Sequence, residues 1–343
     1  MVFPHAGRNV CKLTRGPIHA IYIGTCVIDG IDTDAGPEAK ADPHDDAFAD
    51  PCRSTGFDMI VDVHTHLFPK SVRAHRAKYF GDEPAFELLY KSENAKMVGT
   101  EELIASMDEN GVDVSVVCGF PWMNEKNCMD HNDYILEAIA TYPDRLKGLC
   151  SFNPFTRDSE KEVERCLDNG FSGVGEVAFY TGGGITGEAV AHMAPVMAMC
   201  RSRNLPVLIH TNEPVGHEYP GKSDNTLAQI YNLVKTYPDN KLILGHWGGG
   251  IFFYTLLKKE VRDVLKNVYY DTAASCFLYR PDIYRVAAEL AGEDKVLFGT
   301  DYPLIGPKRY YREIEAAGLD EAARKKLMGD NAAALFGITA EKP

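Results

Sequence analysis

From residue 58 onward the chain alternates two patterns of hydrophobic and polar positions. Short apolar runs rich in Val, Ile and Leu read as strands buried on both faces. Between them lie longer amphipathic segments of helical period. The runs DVSVVCGF, LKGLCSFNP, FSGVGEVAFY, PVLIHTNEP, KLILGHWGGG, NVYYDTAAS and KVLFGTDYP follow a first strand in DMIVDVHTHLFP. Helices are expected over residues 100–112, 129–143, 159–170, 187–203, 223–238, 252–267 and 282–293, with 326–338 as a closing helix. Thr100 reads as an N-cap and Gly111 as the residue just past that helix. Eight βα units at even spacing predict an α/β chain folded as a (β/α)8 TIM barrel, spanning residues 58–343. A doubly wound open sheet is the competing architecture, but no Gly-rich phosphate turn follows the first strand.

Polar residues interrupt these runs at recurring places. In the first strand Asp62, His64 and His66 share one face, because side chains alternate along a strand. His64 and His66 end that strand; Glu176, His210, His246 and Asp301 end strands 4, 5, 6 and 8. Strand C-termini are where barrel active sites assemble. Each residue has an ordinary reading, as a hydrogen-bonded strand-end histidine or a helix-capping Asp. Their coincidence at one end of the barrel points instead to a shared metal site. Asp62, two residues deeper, reads as a support. Tyr269, Tyr270, Asp271 and Ser275 on strand 7 are candidate pocket residues, and His131 reads as a surface or capping residue. The loop NEPVGHEYPGKSDN adds His217, Tyr219 and Lys222 as candidate substrate contacts, and Trp247 follows His246 as another. Lys222 reads equally as a partner for a substrate carboxylate and as a solvated lysine.

Composition narrows the function classes. Hydrophobic residues at 45% and charged residues at 25% fit a globular protein. The net charge of −13 argues against nucleic acid and acidic membrane surfaces as partners and favours a small-molecule substrate. No apolar run reaches the length of a membrane span. Nine cysteines without a C-x-x-C pair suggest buried thiols in the cytoplasm rather than a disulfide framework. Residues 1–57, with an acidic Ala/Pro-rich stretch, read as a poorly ordered N-terminal extension whose His5, His19 and His44 are solvated. A secretory reading of this segment lacks a well-formed cleavage site.

The motifs IVDVHTHLFP, GVGEVAFY, LIHTNEP, LGHWGGG, LFGTDYP and KLMGDNAAALFGI together make the chain resemble the amidohydrolase superfamily, in its amidohydrolase-related (amidohydrolase 2) branch. The resemblance implies a deformed (β/α)8 barrel with a catalytic divalent metal at positions corresponding to His64, His66, His210 and Asp301. It also implies that His246 orients or polarises substrate, and that Glu176 bridges a second ion where two are bound. Zn²⁺ is the expected ion, with Mn²⁺, Fe²⁺ or Co²⁺ admissible, one or two per chain. Asp301 is the expected general base for a metal-activated water and His246 the group that stabilises the developing oxyanion. The leading expectation is a metal-dependent hydrolase acting on a C–N or C–O bond of a small substrate, with or without a carboxylate. The runner-up is a metal-dependent non-oxidative decarboxylase, a carbon–carbon lyase acting on an aromatic or unsaturated acid. A non-catalytic metal-binding protein ranks third, and a homodimer is the base-rate assembly.

Overall fold

Residues 59–339 are described by a computed structural model; the expected extension over 1–57 lies outside them. The apolar runs form β1 (Val61–His66), β2 (Val114–Cys118), β3 (Leu146–Cys150), β4 (Gly173–Val177), β5 (Val207–Ile209), β6 (Leu242–Leu244), β7 (Val268–Asp271) and β8 (Val296–Leu297). All pair in parallel, in chain order. The ring is drawn shut by backbone bonds between β1 and the segment around and after β8. Val63 N–H donates to Phe298 O (2.9 Å), Asp301 N–H to His64 O (2.9 Å) and His66 N–H to Tyr302 O (2.8 Å). The result is the expected (β/α)8 barrel.

Alternation sorts the strand residues into two apolar layers. Val117, Val174, Val207, Ile209, Leu242 and Leu244 pack into the large cluster shared with the helices. Val114, Val116, Cys118, Leu149, Leu208, Ile243 and Leu297 form a second, separate cluster. Asp62 is buried with this framework: it accepts hydrogen bonds from Thr300 N–H (3.0 Å), Thr300 Oγ1–H (2.6 Å) and His64 N–H (3.2 Å). Burial pushes its carboxyl up to about 7, against those three bonds. It thereby clamps β1 to the residue preceding Asp301.

Several elements differ from the sequence expectation, each for a local reason. Gly99, not Thr100, caps the helix Thr100–Asn110; Thr100 instead bonds the Tyr134 hydroxyl. The helix expected from 129 begins earlier, at Glu125, where Asn124 Oδ1 caps Asn127 N–H (3.1 Å). The segment 187–203 divides into Gly187–His192 and Ala194–Ser202, because Pro195 cannot donate within a continuous helix. The helix expected over 252–267 is reduced to Lys259–Leu265, preceded by irregular turns over His246–Leu256. There Trp247, Gly248, Gly249 and Gly250 all hold positive φ, and a Cβ on Gly249 would collide with the Asn212 carbonyl. Pro307–Ala316 is a helix that the sequence pattern did not assign. His131 is not a surface residue: it is buried, its Nδ1 accepting from Trp122 Nε1–H (2.9 Å) and its Nε2–H donating to Leu67 O (2.6 Å). Burial holds its imidazole down at about 4, hence neutral.

The insertion after β1 carries three short helices, Lys70–Ala74, Arg76–Tyr79 and Pro84–Tyr90. It packs through Phe68, Phe86 and Tyr90 against Phe120, Trp122 and Tyr180, with Phe86 and Trp122 ring centroids 4.7 Å apart. A single buried carboxylate fastens it. Glu83 accepts from Met123 N–H (2.8 Å), Asn124 N–H (2.9 Å) and Asn127 Nδ2–H (3.0 Å) at the start of the helix Glu125–Thr141. Among the described residues no helix is long and apolar enough to cross a membrane. All six described cysteines are free thiols, five of them buried.

Replacing Glu83 with Ala strands three donors, and hydrogen bonds to a charged group contribute about 1.5–3 kcal/mol each at most. Glu83→Ala is therefore expected to lower unfolding stability by roughly 1–3 kcal/mol in urea titrations; an unchanged midpoint would show that the insertion is not fastened there.

Candidate metal centre and its pocket

The strand-end residues converge. Glu176, inside β4, is buried among four imidazoles. Its Oε1 lies 2.8 Å from His210 Nδ1, 3.5 Å from His64 Nε2 and 3.7 Å from His246 Nε2, and its Oε2 lies 3.9 Å from His66 Nε2. Asp301 Oδ1 lies 3.1 Å from His66 Nε2 and 3.8 Å from His64 Nε2. Two ligands sharing one ion at about 2.0–2.2 Å each stand no more than about 4.4 Å apart. All six contacts fall below that ceiling, and His64, Glu176 and His246 offer ligand atoms that all lie within 4.8 Å of one another, a set that could hold a divalent cation.

Three of the four imidazoles are aimed by specific partners. His64 Nδ1–H donates to Asp271 Oδ2 (2.9 Å), leaving Nε2 facing the cluster. That buried Nε2 has no hydrogen-bond partner, an orphan that a metal ion would satisfy. Asp271 also accepts His246 N–H at Oδ1 (2.8 Å) and Ala273 N–H (3.1 Å), so one carboxylate at the end of β7 positions two histidines. His246 Nδ1–H donates to Ala273 O (3.1 Å), which turns its Nε2 toward Glu176. His210 Nε2 reaches the Gly221 carbonyl (3.0 Å) while Nδ1 faces Glu176, and Asn225 Nδ2–H holds the His210 carbonyl (3.1 Å). His246 and Asp301 adopt left-handed φ of 54° and 61°, so they stand just past their strands rather than within them.

The electrostatics favour positive charge in this cavity. Burial pulls the His64 imidazole down, but the Asp271 and Glu176 carboxylates outweigh it and hold it up at about 10. His66 and His246 are likewise raised against burial, His66 by Cys118 and Asp301, His246 by Glu176 and Asp301. Burial would raise Glu176, yet His210 and His64 keep it well below the ordinary range, hence ionised. Asp301 is lowered in the same way, chiefly by its bond to His66. The chemistry of the donor set and the orphaned His64 Nε2 both fit a divalent metal.

The other sequence candidates are distributed differently. Trp247 is fully buried, its Nε1–H on Ser275 Oγ (3.0 Å) and its ring against Tyr284, so it packs the scaffold rather than the mouth. Lys222 is not a solvated lysine: it pairs with Glu213 (3.3 Å) and donates to the carbonyls of Gly216 and His217 within its own loop. Tyr219 donates to Glu213 Oε2 (2.8 Å), and His217 is exposed nearby. Tyr270 is core and Tyr269 lies under Lys295. Sequence reasoning missed the holding role of Asp271, although its strand-end position was the same signal that found the others. It also missed Tyr180, whose ring lies 4.8 Å from that of His210 and stacks parallel to Phe120, and Tyr90, 6.0 Å from Phe120.

The chain is similar to several known proteins. A 2-amino-3-carboxymuconate-6-semialdehyde decarboxylase of Dictyostelium discoideum is 23% identical over 347 residues, an alignment covering 83% of this chain and 93% of that protein. The crystal structure of 5-carboxyvanillate decarboxylase from Sphingomonas paucimobilis superposes with a TM-score of 0.67 at 20% identity, covering 82% of this chain and 99% of that one. A dihydroxybenzoic acid decarboxylase from Polaromonas sp. JS666, solved with bound manganese and 2-nitroresorcinol, gives 0.62 at 20% identity over 82% of this chain and 97% of its own. The family match itself extends over residues 61–338, from β1 through the closing helix, and on that match the chain belongs to the amidohydrolase family.

Proposed function

We propose that this protein is a metal-dependent, non-oxidative decarboxylase acting on a small, planar aromatic or unsaturated carboxylic acid. This reverses the order of the two enzymatic readings drawn from sequence, where hydrolysis led. The observation that carries it is the wall beside the imidazoles. Tyr180 touches His210, Phe120 stacks on Tyr180, and Tyr90 from the insertion completes an aromatic surface that suits a flat conjugated substrate. Decarboxylases of such acids among its relatives support the same reading.

In this reading His64, His66, His210 and Asp301 hold the ion, with Glu176 as a further contact. When bound, a divalent ion supplies Lewis-acid polarisation of the substrate's oxygens. The protein does the rest. The aromatic wall orients the ring plane and excludes water. The bond from the substrate carbon to its carboxylate breaks, its electron pair stays on that carbon, and carbon dioxide leaves. His246, fixed by its Nδ1–H on Ala273 O and its backbone N–H on Asp271, delivers a proton from Nε2 to the same carbon. Hydrolysis stands second because Glu176 sits within 3.9 Å of all four imidazoles, a position from which it could bridge two ions.

A panel of aromatic and unsaturated acids assayed for carbon dioxide release should yield turnover that a chelator abolishes and added divalent metal restores. Turnover confined to esters, lactones or amides would favour hydrolysis instead. His64→Ala and Asp301→Ala should each deplete metal, measured by elemental analysis, and remove metal-dependent activity; normal content and rate in either variant refutes the ligand assignment. His246→Asn should retain metal while kcat falls by about 10²–10⁴-fold, the usual contribution of a positioned proton donor. An unchanged kcat would remove His246 from the chemistry.

A further inference from the structure

Cys118 ends β2 as His66 ends β1, and the two are register partners in neighbouring parallel strands. The thiol is buried, forms no disulfide, and shares its strand face with Val114 and Val116. It therefore sits where that apolar layer gives way to the imidazole cluster. His64, His66 and Cys118 each offer a ligand atom, all within 4.8 Å of one another, and the thiol donates to the carbonyl of Thr65, the residue between the two histidines (3.3 Å). Beside it, the orphaned Nε2 of fully buried His64 points into the same cluster. Two imidazoles and a thiol at this spacing are a nitrogen–sulfur donor set, in the same cluster whose oxygen donors are Glu176, 3.5 Å from His64 Nε2, and Asp301, 3.1 Å from His66 Nε2.

We propose that Cys118 is a metal ligand of this centre, binding as a thiolate with His64 and His66 and selecting zinc over manganese. Softer thiolate and imidazole donors suit zinc, whereas carboxylate and water oxygens suit manganese. The exchange balances without redox chemistry. The thiol releases its proton to solvent, a sulfur–metal bond forms, and the hydrogen bond from Cys118 Sγ–H to the Thr65 carbonyl (3.3 Å) is given up. A thiol that served only as packing would need no imidazole neighbours; Val114 and Val116 fill the same face with hydrocarbon alone.

The inference rests on the metal-centre reading and is independent of which reaction the centre performs. X-ray absorption spectroscopy of the zinc-loaded full chain should show a sulfur shell at about 2.3 Å together with nitrogen scatterers. Cys118→Ser should lose the sulfur shell and keep the nitrogen shell. Its zinc affinity, measured by competition with a chromophoric chelator, should fall on the order of tenfold or more, with manganese affinity unchanged. Should Cys118→Ser fold poorly, cobalt-loaded wild-type protein supplies the second readout, a sulfur-to-cobalt charge-transfer band in the near ultraviolet. Zinc bound through nitrogen and oxygen alone, a sulfur shell that persists in Cys118→Ser, or a chain that takes up no zinc would each overturn the proposal. Absence of carbon dioxide release from zinc-loaded protein with an intact sulfur shell would instead count against the decarboxylase reading.

Discussion

Buried negative charge is the constraint around which this protein is built. Glu176, Asp271 and Asp301 converge at the C-terminal ends of β4, β7 and β8, and the groups that answer them are imidazoles and backbone N–H groups. Carboxylates taken out of water are costly unless paired and hydrogen-bonded. His64 therefore serves twice, its Nδ1–H meeting Asp271 while its Nε2 faces the cluster, and His210 and His246 each turn one ring nitrogen to a backbone carbonyl and the other toward Glu176. The Asp271 and Glu176 carboxylates also raise the His64 imidazole against its burial, so the cluster favours positive charge.

The surrounding scaffold serves this arrangement from two directions. Beneath the cluster, paired strands with apolar side chains on alternating faces give the histidines a stiff base. Above it, the insertion after β1 brings Tyr90 to the aromatic surface and is itself tied down through Glu83 at the start of a helix. The loop after β5 folds back so that Gly221 meets His210, while Ser223 N–H and Oγ–H both bond Asn212 Oδ1 and close the loop (3.0 and 2.6 Å). Precision at the centre thus derives from strands, and shape at the mouth derives from loops.

The barrel and its strand-end residues were legible because both follow from periodicity: apolar runs mark strands, and a polar residue at the end of each run marks the working face. His64, His66, Glu176, His210, His246 and Asp301 were found by that rule alone. What escaped it depends on tertiary placement. Trp247 follows His246 in sequence, yet the run of positive φ through Gly250 turns its indole into the core. Lys222 reads as a free cation until Glu213 is seen beside it. His131 has a surface pattern on its helix, and only the insertion and Trp122 bury it. Tyr90 lies on an irregular insertion where no periodicity announces a role. The choice between hydrolysis and decarboxylation was hidden for a related reason, since the candidate metal ligands are compatible with both and the aromatic surface beside them is made by tertiary contacts.

The seam between β1 and β8 links binding to architecture. Asp62 grips Thr300, the His64 carbonyl accepts Asp301 N–H, and His66 N–H reaches Tyr302, so the bonds that shut the barrel are made by the candidate metal ligands or their immediate neighbours. Two ligands from opposite ends of the chain are thereby pre-assembled on one rigid edge, and little chain entropy remains to be lost when an ion arrives. By mass action an ion that binds only the folded chain adds its binding free energy to closure of the ring. With the ion held by the proposed ligands, metal supply would act on how tightly the first and last strands stay together.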